Sequence, residues 1–315
     1  MKKKNKNVTP ENSGRIIEMP PKSSRFMTKE ELANYTLSRS EENDYGGSDK
    51  RGNVILSKNV RIAIDTKKSR RNLNILVLGS NEEHTIKPFT ACLSLANENY
   101  VVQDKENTLY NAYAGSLEKA GYNVKKITAD NLGRFDYDEF TDYGTLNKAL
   151  FVECNDGRDK AEAAGFFSHA FARTSGDGKA GDSISITQQK KRHTIFLFPY
   201  FNELYRIPYL VEMLSMSRLA DVSVMVRENC INDMASVYKG DARSLTANCD
   251  ERILYHTEDK GTSDWISDDT FGVMSGTSIP EDKCIVKIRG YYPYLDDILT
   301  GDEFTAVEEM KNGTY

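Results

Sequence analysis

The first place where this chain could do chemistry is the loop Gly79-Ser80-Asn81-Glu82-Glu83-His84-Thr85. It follows the apolar run Asn74-Ile-Leu-Val-Leu, which reads as a buried strand stopping at Gly79, and it precedes a helical stretch from Lys87 to Glu98. Loops at the carboxyl ends of strands are where doubly wound sheets hold ligands. Phosphate binding there takes the pattern G-x-x-x-x-G-K-[ST]. Its glycines let backbone N–H groups converge on the anion, and its lysine reaches the terminal phosphates. Gly79 and Ser80 open this loop, but no second glycine and no lysine follow. Glu82 and Glu83 would meet an anion with like charge, at a cost on the order of 1 kcal/mol or more each at close range. Thr85 stands where a metal-binding hydroxyl belongs, yet without the lysine before it. The loop therefore reads as an ordinary strand-to-helix turn.

The second place is the end of the apolar strand Thr194-Ile-Phe-Leu-Phe. A nucleotide-hydrolysing strand of this kind ends in Asp, often followed by Glu, to hold Mg²⁺ and position the attacking water. This one ends in Pro199-Tyr200-Phe201, and neither Pro199 nor Tyr200 can do that work. Two losses in one reaction centre weigh more than either alone. Metal chemistry of another kind finds no support. His84, His169, His193 and His256 show no ligand spacing, and the five cysteines form no C-x-x-C pair, which predicts reduced thiols. No metal and no cofactor are expected.

Around these loops the chain must supply strands and helices in alternation. Asn99-Tyr-Val-Val-Gln-Asp reads as a strand ending at Asp104, Thr108 to Ala120 as a helix, and Asn123 to Thr128 as a strand. Strand Ala149 to Glu153, helix Arg158 to Arg173 and a Gly/Ser/Asp-rich loop from Thr174 to Gln189 follow. After strand Thr194 to Phe198 come helix Ile207 to Arg218, strand Asp221 to Val226 and helix Asn229 to Val237. Strands Arg252 to His256 and Cys284 to Ile288 close the series, with Tyr291-Tyr292-Pro293-Tyr294 expected to pack on the sheet. This rhythm predicts an α/β fold: a doubly wound, mostly parallel sheet with helices on both faces. At the N-terminal side, Thr28-Lys-Glu-Glu31 matches a capping box, and Asn53 to Leu56 with Val60 to Ile64 forms a small β pair.

The 315 residues suffice for one large α/β domain. No apolar run approaches the roughly 18 residues of a membrane span, so a soluble, cytoplasmic protein is expected, at most peripheral to the inner face of the cell membrane. A net charge of -5 argues against a broad DNA-gripping surface. Only the N-terminal lysines, Lys67 to Arg71 and Lys190 to Arg192 are locally basic, and they read as solvated loops.

Several segments carry a resemblance. They include Arg25-Phe-Met-Thr-Lys-Glu-Glu-Leu, Gly52-Asn-Val-Ile-Leu-Ser-Lys, Asp65 through Gly79, Tyr100-Val-Val-Gln-Asp and Leu117-Glu-Lys-Ala-Gly-Tyr-Asn-Val-Lys. The carboxyl half adds Arg206-Ile-Pro, Ala247-Asn-Cys-Asp and Lys283-Cys-Ile-Val-Lys-Ile-Arg-Gly-Tyr-Tyr-Pro-Tyr. Taken in order over residues 24–298, they resemble the TraG/TraD-type coupling proteins, the conjugative DNA transfer family of type IV secretion. Those are RecA-like P-loop ATPases, so the resemblance implies a RecA-like P-loop NTPase-type sheet. Against that family the loop after Leu78 is a few residues short. The catalytic Asp-Glu pair falls on Pro199 and Tyr200, an Asp-Pro-Lys-Gly-Glu run survives only as Asp104, and a nucleotide-sensing glutamine falls at Arg227.

The expected organisation is a disordered leader over 1–24, a helix and β pair over 25–71, and the RecA-like domain over 72–300. The family's helical insertion is lost near 135–148, and 301–315 form a tail. The family's N-terminal membrane helices are likewise not expected. The resemblance implies partners among conjugation or type IV secretion components, namely a coupling ATPase or a relaxase, and a homo- or hetero-oligomer with at most weak DNA contact. The leading expectation is a pseudo-ATPase acting as an adaptor or regulatory subunit. The alternatives are a coupling ATPase of unusual site chemistry at Thr85 or Asp104, a single-stranded DNA-binding module built on tyrosines and basic loops, and a remnant of a mobile element.

Overall fold

The computed structural model describes residues 25–33, 53–64, 71–136, 147–174 and 193–301. The leader, the loop after Thr174, the basic run before Arg71, most of the shortened insertion and the C-terminal tail lie outside them.

The chain begins with α1 (Lys29–Ala33). Its start is the capping box read from the sequence: Thr28 Oγ1 accepts the Glu31 N–H at 3.2 Å, and Glu31 Oε2 accepts the Thr28 N–H at 2.9 Å. Strands β1 (Asn53–Ile55) and β2 (Arg61–Ala63) form the expected antiparallel pair, with Val54 opposite Ile62.

Nine strands build the main sheet. The first half runs β3 (Ile75–Leu78), α2 (Glu82–Thr85), α3 (Lys87–Leu95), β4 (Asn99–Asp104), α4 (Thr108–Lys119), β5 (Tyr122–Ile127), α5 (Ala129–Leu132), β6 (Asn147–Glu153) and α6 (Gly157–Thr174). The second half runs β7 (Thr194–Phe198), α7 (Leu210–Ala220), β8 (Val222–Glu228), α8 (Ile231–Tyr238), α9 (Ala242–Ala247), β9 (Glu251–Leu254), α10 (Lys260–Asp269), β10 (Lys283–Ile288) and β11 (Tyr294–Asp297). The spatial order is β11-β10-β9-β3-β8-β7-β4-β6-β5. Pairings from β9 to β5 are parallel, whereas β10 and β11 add antiparallel to that edge. The sheet is mostly parallel and doubly wound, as the sequence rhythm predicts.

Every residue of β3, β7 and β8 is buried, which is why β3 and β7 read as continuous apolar runs, whereas β8 also buries Ser223, Arg227 and Glu228. One face packs Leu76, Leu78 and Phe198 against Phe167 of α6, Leu214 of α7 and Met234 of α8. Phe167 meets Phe198 edge to face at 4.7 Å between ring centroids. The other face packs Ile75 and Val77 against Phe89 of α3, Leu109 of α4 and the β1–β2 residues Val54 and Ile62.

Tyr292 and Tyr294 also join that second core, and Tyr294 belongs to the sheet itself, as the first residue of β11. The exposed edge at β11 is tied down by the β1–β2 turn. Asp296 accepts hydrogen bonds from Ser57 Oγ at 2.6 Å, Asn59 N at 2.8 Å and Asn59 Nδ2 at 2.7 Å. Helix α10, of sequence Lys-Gly-Thr-Ser-Asp-Trp-Ile-Ser-Asp-Asp, lies between two strands expected from the sequence, in a stretch where no element is expected. It is set locally by Asp259, whose carboxylate accepts the Thr262 N–H at 2.7 Å. Among the described residues no helix is long and apolar enough to cross a membrane.

Glu251 opens β9 with its side chain fully buried and neither carboxyl oxygen hydrogen-bonded. Arg71 Nη1 lies 3.9 Å away. Burial first, and Asp250 second, push the carboxyl up to about 8. Burial pushes Glu228, at the end of β8, up to about 8 as well. The folded state thus holds protons that the unfolded chain releases at its ordinary, lower pKa. Stability therefore declines as pH rises above that ordinary value and levels off above about 8. Thermal unfolding followed across this range is expected to show Tm falling toward alkaline pH. Glu251→Gln is expected to remove part of that slope and raise Tm by several degrees at the alkaline end.

Candidate functional site

The order β3-β8-β7-β4 creates the site. The chain leaves β3 toward β4 on one side and leaves β8 toward β9 on the other, so the carboxyl ends between them form a topological switch point. Gly79 follows β3, Arg227 ends β8 with Glu228, Pro199 and Tyr200 follow β7, and Gln103 and Asp104 end β4. Six of the seven positions singled out in the sequence are therefore brought to this crevice as buried backbone or side chain. The seventh, Ser80, is exposed at the start of the turn.

The segment after Gly79 is a single helical turn, α2, where the sequence reads only a turn. Asn81 begins it, accepting the His84 N–H on its side chain at 3.4 Å and the Thr85 N–H on its carbonyl at 3.0 Å. Gly79 is there for close packing. A Cβ at this position would lie 2.7 Å from Tyr255 Cβ and 3.3 Å from Thr85 Cγ2. The glycine thus lets the chain after β9 approach the chain after β3.

Arg227 is the centre of the crevice and is only 2% exposed. Its Nε donates to Thr85 Oγ1 at 2.6 Å, its Nη1 to the Pro199 carbonyl at 3.3 Å and its Nη2 to Asn229 Oδ1 at 2.8 Å. Thr85 passes its own proton to the Asn81 carbonyl, 2.8 Å away. The Glu82 carboxylate, far more exposed, lies 3.8 Å from Arg227 Nη2. Burial lowers the Arg227 pKa and Glu82 opposes that shift, while the guanidinium stays charged because its ordinary value is so high.

Tyr200 and Asp104 are equally committed. The Gln103 side chain accepts the Tyr200 N–H at 3.1 Å and donates to the Tyr200 carbonyl at 2.7 Å, a two-point clamp between the ends of β4 and β7. Burial, with Glu82 and Asp104 adding to it, pushes the Tyr200 hydroxyl up to about 12. Asp104 receives the Leu109 N–H on one oxygen at 2.9 Å and the Tyr110 N–H on the other at 2.8 Å, so both carboxylate oxygens hold the first turn of α4. Burial raises its pKa and these two N–H donors oppose the rise.

Sequence reasoning missed an ion-pair group beside this cluster. Glu203, just past β7, bridges Lys105 Nζ at 2.8 Å and Lys160 Nζ at 3.6 Å. Gln103, Lys105, Glu203 and Asn229 all lie within a few residues of a strand's carboxyl end. That position was the one signal available for them.

Comparison with known folds bears on this arrangement. The bacterial conjugative coupling protein TrwBdeltaN70, in its trigonal form in complex with sulphate, matches with a TM-score of 0.55 at 9% sequence identity. The match covers 84% of this chain and 92% of that one. The unbound monoclinic form of the same protein matches at 0.53 with 10% identity, over 84% and 93% of the two chains. Plasmid coupling protein TrwB in complex with a non-hydrolysable ATP analogue, ADPNP, gives the same values. The chain has the RecA-like α/β fold. At these identities the likeness is one of fold. Comparison with family models and with curated proteins finds no match.

Because Gly79 meets the Tyr255 backbone and Cβ rather than a flexible side-chain tip, Gly79→Ala is expected to overpack the β3–β9 contact. The expected loss is about 1–3 kcal/mol. It is measured as a lower urea midpoint at unchanged slope.

Proposed function

We propose that this protein is a non-catalytic relative of the conjugative coupling ATPases, an adaptor or regulatory subunit that works beside a DNA-transfer motor and is not one itself. The observation that carries the reading is the Arg227 guanidinium. It joins Thr85, the Pro199 carbonyl and Asn229 across the crevice in which a nucleotide's phosphates would have to lie. Phosphate binding in such folds relies on unpaired backbone N–H groups and a lysine at the turn after the first core strand. Here that turn offers Glu82 and Glu83, and the hydroxyl of Thr85 is spoken for at both ends. The end of β7 carries Pro199 and Tyr200 in place of carboxylates, and the neighbouring carboxylate, Asp104, is engaged in starting α4.

The adaptor role rests on the resemblance to the coupling proteins together with the matched fold: a body of that shape retains surfaces by which such subunits meet one another. Its expected partners are an intact coupling ATPase or its relaxase cargo.

The test is direct. A fluorescent ATP analogue with Mg²⁺ is expected to show no saturable binding up to about millimolar concentration, an affinity weaker than about -4 kcal/mol. The purified chain is expected to be retained on an immobilised intact coupling ATPase. Micromolar nucleotide binding would overturn the non-catalytic reading, and absence of retention on both the ATPase and relaxase would overturn the adaptor role.

A further inference from the structure

The crevice contains a group of charges drawn from several elements. Arg227, Lys105 and Lys160 converge there from β8, from the residue after β4 and from α6. They share the carboxylates of Glu82, from α2, and Glu203, from the turn after β7. The pairs form one cluster. Glu203 first, and Glu82 after it, hold the Lys105 ammonium above its ordinary value, and both carboxylates oppose the effect of burial on Arg227.

The two carboxylates are held in an informative way. Neither touches Arg227 within hydrogen-bond distance, since Glu82 stands 3.8 Å from Nη2. The Glu82 side chain is 60% exposed and that of Arg227 only 3%, so the buried cation is paired with a carboxylate that is itself exposed to solvent. Glu203 makes one close contact, to Lys105, and a longer one to Lys160. A guanidinium this deeply buried requires a compensating anion, because an unpaired buried charge costs several kcal/mol. In this chain the anion is supplied from within.

We propose that Glu82 and Glu203 are built-in anionic ligands: they supply the negative charge that these three cations would otherwise take from a small phosphate-like anion. The inference rests on the reading that the site takes no nucleotide, and it gives the reason in terms of two residues. Neutralising both carboxylates leaves three neighbouring cations without their internal counter-charge, a setting that suits a compact, multiply charged anion such as pyrophosphate.

The experiment is isothermal titration of pyrophosphate, without metal, into the full chain and into Glu82→Gln/Glu203→Gln at low salt. The wild-type chain is expected to give no saturable heat, and the double variant a saturable one-to-one isotherm at least tenfold tighter. Adding Lys105→Met and Lys160→Met to the double variant is expected to abolish the gain. Glu82→Gln alone, at an exposed position, is expected to give a partial gain, and it serves if the double variant does not fold as judged by circular dichroism. A folded variant without gain overturns the inference, as does a gain that survives the lysine replacements, or wild-type binding as tight as the variant's. ATP-analogue binding by the wild-type chain sinks the non-catalytic reading instead. Silence from wild type and variant alike sinks only the built-in ligands.

Discussion

The centre of this molecule depends on keeping one positive charge out of water. Arg227 ends a strand buried along its whole length, in the middle of a nine-stranded sheet. Its guanidinium therefore has to find its partners inside the protein. The partners come from the turn after β3, the end of β7 and the residue two places along its own chain. Those points are the corners of the switch-point crevice. The topology that sets diverging connections on either side of the central strands thus places Arg227 and its partners at the switch point.

The residues around Arg227 fit the same picture. Gly79 suits its place because Tyr255 leaves no room for a Cβ. Asp104 accepts two N–H groups that the first turn of α4 presents in a buried place. Gln103 is saturated by the backbone of Tyr200. Each of these residues has a use in the packing or hydrogen bonding of the strand ends.

The N-terminal elements serve the sheet and stand apart from the crevice. Strands β1 and β2 cover one face, and their turn gathers on Asp296 at the β11 edge. Met27 donates its N–H to the Pro293 carbonyl at 2.8 Å, and Arg25 lies 3.9 Å over the Tyr292 ring. Among the described residues, the hydrogen bonds and ion pairs of the crevice come from the α/β body.

Much of this body was legible in the sequence. Thr194 to Phe198 is a strand with the bounds its apolar run implied, the Thr28–Glu31 capping box forms as spaced, and the alternation of strands and helices yields the doubly wound sheet. These features are local: period, caps and strand-terminating glycines act over a few residues. That no second glycine or lysine follows Gly79, and that Pro199 and Tyr200 follow β7, was legible for the same reason, since a motif is a local pattern. Only the tertiary structure decided the rest. Arg227 and Thr85 are 142 residues apart, and Gln103 and Tyr200 are 97 apart, so no spacing could announce their hydrogen bonds. The order of strands, the antiparallel addition of β10 and β11, and the meeting of Lys160 with Glu203 likewise follow from which surfaces bury one another. The sequence by itself determined which phosphate-binding groups are missing. The packing of distant strand ends determined what fills their place.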